Sequence, residues 1–302
     1  MVFQQTPTFL STLTLTILAV AARIIINPLA NVFQKKLIDN GNPPLFINLI
    51  TYILIALACL FETFKINWAG LPFEFWQNAT CVGVFGALGN WFYVKALHGS
   101  NLSVLGPMNA FKSVIGIIGG IFFLQEMPTI YGLLGLVLIG YGCFFVLDSP
   151  EQRFSFSLFK RADIQYRFAG MFLSAFEAIF IKKVIVYSSV SISFISYSWF
   201  GILFASLFLL VNKTQLSSIS YKAIKLSIGD FIWVALSLGL VHLGTNYALK
   251  QMPIGYALSL FQLSALASVL LGYRIFKEDQ VIRKLIGAFI MVIGSVLIIL
   301  MG

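Results

Sequence analysis

The sequence predicts an all-α, polytopic membrane protein: ten transmembrane helices arranged as two inverted five-helix repeats. Three observations carry that expectation. Of 302 residues, 59% are hydrophobic and only 10% are charged, against roughly 25% charged in a soluble domain. Apolar runs close to the ~20 residues needed to span a bilayer recur along the whole chain. The layout of the first half also returns in the second. A shift of 152 residues lays Ala96-Leu97 on Ala248-Leu249, Gly120 on Gly272, Glu126 on Glu278, Leu133 on Leu285, Gly135 on Gly287 and Gly142 on Gly294.

The expected spans are 9–36, 45–64, 77–98, 102–124, 130–148, 166–187, 191–211, 229–250, 254–275 and 281–301. They are rich in Leu, Ile, Phe and Gly and lack the alternation of strands, so each reads as a helix. Gly41-Asn42-Pro43-Pro44 ends the first span. Pro72 precedes the third, Pro128 precedes the fifth, Pro150 follows it, and Pro253 precedes the ninth. Arg153, Lys160 and Arg161 mark residues 149–163 as a surface linker between a first unit, 1–148, and a second, 164–302. Five spans in each unit make the second enter the membrane from the opposite side. Phe33-Gln34-Lys35-Lys36 closing span 1 is echoed by Phe180-Ile181-Lys182-Lys183 closing span 6. The first span reads as retained rather than as a cleaved signal, because it contains Arg23 and Asn27-Pro28.

The net charge of +9 does not point to nucleic acid, because the cations sit singly or in pairs at span ends, facing lipid headgroups. Most of them follow spans 1, 3, 5, 7 and 9. By the positive-inside rule this puts the linker in the cytoplasm and both termini outside. Cys59, Cys81 and Cys143 lie inside apolar runs with no metal spacing and read as small core residues.

A polar group at a span centre is expensive, roughly 2.5–3.5 kcal/mol for a charge on insertion scales, and usually faces the bundle interior. Span 1 carries Arg23, Asn27, Asn31 and Gln34, which share one helical face. Pro28 interrupts this stripe and frees a carbonyl near Ile24, so a broken, cavity-lining helix is expected. Span 3 offers Asn90 and Trp91, the latter as an aromatic wall. Span 4 holds Asn109 and Lys112; span 6 holds Ser174 and Glu177. Glu177 is either bridged internally to Arg23 or Lys112 or open to an exchanging proton. His242, which shares a face with Asn246 on span 8, is the second proton-coupling candidate; its other reading is a neutral ring satisfied by a neighbouring helix. Tyr256, Ser259 and Gln262 form a stripe on span 9, while Glu126 and Glu278 fall at span ends and read as boundary residues. Two central cations against one acid suit a small zwitterion such as an amino acid; an organic phosphate or nucleotide is the alternative.

The two five-span halves, the Lys-Lys span ends, the Glu126 and Glu278 breaks and the paired glycines Gly135/Gly142 and Gly287/Gly294 resemble the drug/metabolite transporter superfamily, in its EamA-type branch. The resemblance covers nearly the whole chain. It implies two inverted repeats around a central cavity and alternating access for small solutes: amino acids, other metabolites, nucleotide sugars or phosphorylated sugars. It also implies termini in the cytoplasm, the reverse of what the charge count gives. An inner-membrane, monomeric transporter without cofactor is expected, with the bilayer, a small solute and either protons or a counter-solute as its partners. An enzyme would need paired carboxylates, a histidine cluster or a nucleophile with its base, and only His98 and His242 are present, in different spans. A channel would need a continuous polar pore. No phosphate-cradling ATP loop occurs, so a gradient or exchange would drive movement.

Overall fold

The structure is a computed structural model that describes residues 9–98, 104–105, 108–109, 112, 115, 118, 122, 129–147 and 160–301. Glu126, Gly120 and most of the linker expected at 149–163 lie outside the described residues. Among the described residues all regular structure is helical. The long helices are α1 (Phe9–Asp39), α2 (Pro44–Ala58), α3 (Phe73–Leu97), α4 (Ile130–Leu147), α5 (Ala162–Val186), α6 (Val190–Val211) and α7 (Ile228–Gln251). They are followed by α8 (Ile254–Leu260), α9 (Ser264–Phe276) and α10 (Val281–Met301). Leu105, Met108, Lys112 and Ile115 are helical positions between α3 and α4.

The helix ends follow local chemistry. Gly41, at φ 87°, makes the turn after α1, and Asn42 Nδ2 donates to Leu37 O at 3.0 Å. Pro44 then occupies the first turn of α2, where its missing N–H costs nothing. The Ser189 side chain accepts from Ile192 N at 3.1 Å and caps α6. Lys277, left-handed at φ 53°, ends α9.

One expected break is in a different place. α1 runs unbroken through Pro28. The discontinuity falls instead in span 9, where a 3-10 turn, Phe261–Leu263, separates α8 from α9. Side chains there compete for the main chain: Gln262 Nε2 donates to Leu258 O at 2.8 Å and Ser264 Oγ to Phe261 O at 2.7 Å.

Three antiparallel helix pairs dominate the packing: α1 with α7, α3 with α5, and α4 with α10. Each is drawn together at glycine. A methyl placed on Gly142 of α4 would sit 2.6 Å from Gly287 O of α10, and one on Gly294 would sit 2.6 Å from Gly135 O. In the second pair, a methyl on Gly170 would lie 3.2 Å from Gly89 O. In the first pair, Gly244 of α7 faces Ala19 O of α1 at 2.8 Å by the same measure. Close backbone approach over small residues is how helices associate where lipid removes the hydrophobic drive between them. The outer faces are apolar: Ile282, Ile286, Phe289 and Ile293 form one exposed stripe along α10.

Among the described residues, three helical stretches are long and apolar enough to cross a membrane unaided: Thr16–Asp39, Val190–Val211 and Ile228–Gln251. α3 and α5 have 25 residues each, enough length, but carry the polar groups described below. Glu278 lies between α9 and α10, at a span end as expected. It is nevertheless buried, with an oxygen 3.6 Å from Lys35 Nζ of α1.

Gly294→Ala should lower the thermal midpoint in detergent, by an overpacking cost of about 1–3 kcal/mol. Gly140→Ala, where an added methyl meets nothing within 4 Å, should leave the midpoint unchanged or raise it. Equal midpoints for the two variants would contradict the glycine seam.

Candidate solute-binding cavity

A polar cavity of about 120 Å³ lies between α1, α3, α5, α6, α7 and the broken span 9. That is room for several waters or a small solute. Its floor on α1 is the stripe Arg23, Asn27, Asn31 and Gln34, all four of which line it. Asn90, Asn109, Lys112, Glu177, His242 and Gln262 line it as well. Helical periodicity explains the grouping, since each helix turns one polar face inward and an apolar one outward.

Two expected residues are elsewhere. Asn246 is fully buried at the helix interface, where its Nδ2 donates to Ser193 Oγ of α6 at 3.2 Å. It shares a face with His242 on a continuous helix, but that face is wide and its far edge meets α6. Trp91 is also outside the lining: its ring lies 5.3 Å from Lys95 Nζ, toward the end of α3. One residue along a helix turns a side chain by 100°, so Asn90 faces the cavity and Trp91 does not. The side chains of Ser259 and Tyr256 lie outside the described residues.

The cations are held in different ways. Arg23 Nε donates to Thr245 Oγ1 at 2.7 Å, and Thr245 Oγ1 donates in turn to Val241 O at 2.8 Å. The guanidinium carbon of Arg23 stands 3.4 Å from the centre of the Phe261 ring, a cation–π contact made possible by the 3-10 turn. Lys112 Nζ donates to Ser174 Oγ. Arg167, only 1% exposed, lies over Tyr93 at 4.6 Å. Glu177 is buried, and among the described residues it has no salt-bridge partner, so of its two readings the bridge to Arg23 or Lys112 is the one not seen. A methyl on Gly86 would meet Glu177 Oε1 at 2.7 Å, so the missing side chain at 86 leaves room for the carboxylate.

Beside Glu177 is a polar knot. Asn90 Nδ2 donates to Tyr52 OH at 2.7 Å and to Tyr197 OH at 3.2 Å, tying α3 to α2 and α6. The Tyr197 ring stacks on His242, with centroids 3.4 Å apart and planes 14° apart. His242 thus has an aromatic neighbour on one face, while its Nε2 has no hydrogen-bond partner among the described residues.

Several lining residues escape a search for charges at span centres. Arg167 sits near the start of α5, where cations normally meet headgroups. Its spacing of seven from Ser174 and ten from Glu177 is the signal that places it on their face. Tyr93 is three residues beyond Asn90, and Thr245 three beyond His242. Tyr197 has no comparable signal, since nothing in its span's sequence marks the inward face.

The comparisons with known proteins fit a solute cavity inside a membrane bundle. Residues 8–148 match the model of the EamA-like transporter family. That match covers just under half of the chain and supports an EamA-type protein of the drug/metabolite transporter superfamily. A solved structure described as "Crystal structure of protein" resembles this chain with a TM-score of 0.66 over 93% of this chain and 94% of its own, at 15% identity. That likeness concerns the fold alone. No curated protein matches the chain. The family match implies a membrane transporter with a small-molecule substrate, and the apolar helices agree with an integral membrane protein.

Asn90→Leu should remove both hydrogen bonds of the knot and leave two tyrosine hydroxyls short of a donor, a penalty of about 1–3 kcal/mol. Thermal unfolding should rank Asn90→Leu below Tyr52→Phe, which removes only one of the bonded hydroxyls. The reverse order would mean that the amide does not hold the knot together.

Proposed function

We propose that this transporter moves a small amino-acid-like zwitterion by alternating access through the polar cavity, as a secondary transporter of the plasma membrane. The observation that carries this reading is the cavity's mixed charge: Arg23 and Lys112 line it together with an unbridged Glu177. An α-carboxylate suits the cations, and an ammonium suits Glu177 with its tyrosine neighbours. Arg23, Asn27, Asn31, Asn90, Asn109, Lys112, Glu177 and Gln262 are the proposed solute-binding set, with Glu177 and His242 as the proton-exchanging groups.

Alternating access rests on a proposed architecture of two inverted five-span repeats, 1–148 and 164–302, joined by a linker at 149–163. The helix pairing supports it. Numbering the spans in order, the principal pairs are 1 with 8, 3 with 6 and 5 with 10. Exchanging each span with the one five away converts the first pair into the second and returns the third to itself. The glycine contacts of α4 and α10 are reciprocal in the same way. A pseudo-two-fold of this kind lets one bundle rock against the other around a fixed site.

Arg167 favours a second reading. With it, the cavity holds three cations against one acid, which also suits an organic phosphate or nucleotide-type solute under exchange.

Counterflow in proteoliposomes against a panel of amino acids and organic phosphates, repeated over a pH range, tests both readings. Arg23→Ala and Lys112→Ala should each reduce uptake at least about tenfold, the equivalent of ~1.4 kcal/mol. Lys213→Ala, at an exposed position, should transport as the unaltered chain does. Equal uptake by all three variants would remove the cations from the site.

A further inference from the structure

Four cavity-lining side chains present a buried polar atom without a hydrogen-bond partner among the described residues: Arg167 Nε, Asn109 Oδ1, His242 Nε2 and Gln262 Oε1. Buried polar atoms are nearly always satisfied, so these four outline the complement of what the cavity takes. Arg167 asks for an acceptor, and Asn109 and Gln262 ask for donors. The three cations differ here. Arg23 is held by Thr245 and the Phe261 ring, and Lys112 by Ser174. Among the described residues Arg167 lies over the face of Tyr93, and its Nε remains without an acceptor and open to an anion.

Position along α5 supplies the second argument. Ser174, which anchors Lys112, is three residues from Glu177 and seven from Arg167. At 1.5 Å rise per residue, the backbone positions of Ser174 and Glu177 stand about 10–15 Å along α5 from that of Arg167. Long side chains close part of that gap, and an extended solute closes the rest. Along α5, Glu177 and Arg167 therefore stand at opposite ends of the lining face, with Ser174 and the Lys112 it anchors between them.

Building on the zwitterion reading, we propose that the solute is an acidic amphoteric metabolite. Its amino-acid head lies at Glu177 and Lys112, and a second anionic group, a carboxylate or a phosphate ester, is read by Arg167. Asn109 and Gln262 accept hydrogen bonds from the ammonium or from hydroxyls along the solute. Arg167 is thus the residue that separates acidic from neutral amino acids.

The test uses the full chain in proteoliposomes with two matched pairs of probes: L-glutamate against L-glutamine, and O-phospho-L-serine against L-serine. The unaltered protein should prefer the acidic member of at least one pair by tenfold or more; which pair responds distinguishes carboxylate from phosphate. Arg167→Gln should abolish that preference, lowering uptake of the acidic member at least tenfold more than uptake of the neutral one. Arg167→Lys, which keeps the charge without the fork, should retain the preference with a raised KM, and it serves where Arg167→Gln does not fold. Equal uptake of acidic and neutral probes, or a preference that both variants leave unchanged, overturns this proposal and leaves the zwitterion reading standing. Movement of glycerol 3-phosphate but of none of the four amino acids overturns both.

Discussion

The structure depends on helices approaching one another as closely as their backbones allow. In lipid, an apolar side chain gains nothing by moving from a fatty acyl tail to a neighbouring helix, so association rests on van der Waals fit and on polar contacts. Glycine supplies the fit at all three principal pairs: Gly142 and Gly294 between α4 and α10, Gly89 and Gly170 between α3 and α5, and Gly244 against α1. The α1–α7 and α3–α5 pairs form walls of the cavity. Gly86 shows the same device turned to a chemical end, because the space it leaves is filled by the carboxylate of Glu177.

The cavity holds charge away from water by two means. Arg23 is satisfied within the protein, through a hydroxyl whose own proton goes to a backbone carbonyl, and through an aromatic face. Arg167 and Glu177 are buried without an ion-pair partner among the described residues. A fully bridged interior would be more stable and less useful, since a solute would then have to displace an internal ion pair before binding.

Much of this was legible in the sequence. Composition required lipid as solvent, and the spacing of Arg23, Asn27, Asn31 and Gln34 put them on one face, which the structure turns to the cavity. The glycines that mark the two halves, Gly135, Gly142, Gly287 and Gly294, are the ones at which α4 and α10 touch. What could not be read depended on partners distant in the chain. Asn246 looked like a neighbour of His242, but Ser193 on another helix takes its amide. Pro28 looked like the break, yet the competition of Gln262 and Ser264 for main-chain carbonyls interrupts span 9 instead. Arg167 was hidden by its position, because a cation near a helix start has an ordinary use at the headgroups, and only its register with Ser174 and Glu177 argues otherwise.

The amide of Asn90 has one more effect. Both of its N–H bonds end on phenol oxygens, so Tyr52 and Tyr197 serve there as acceptors, each keeping its own proton to give away. Tyr197 lines the cavity, so its proton is available to whatever lies against that wall. One amide thereby gives this patch of wall an electropositive edge without placing another ionised group inside the membrane.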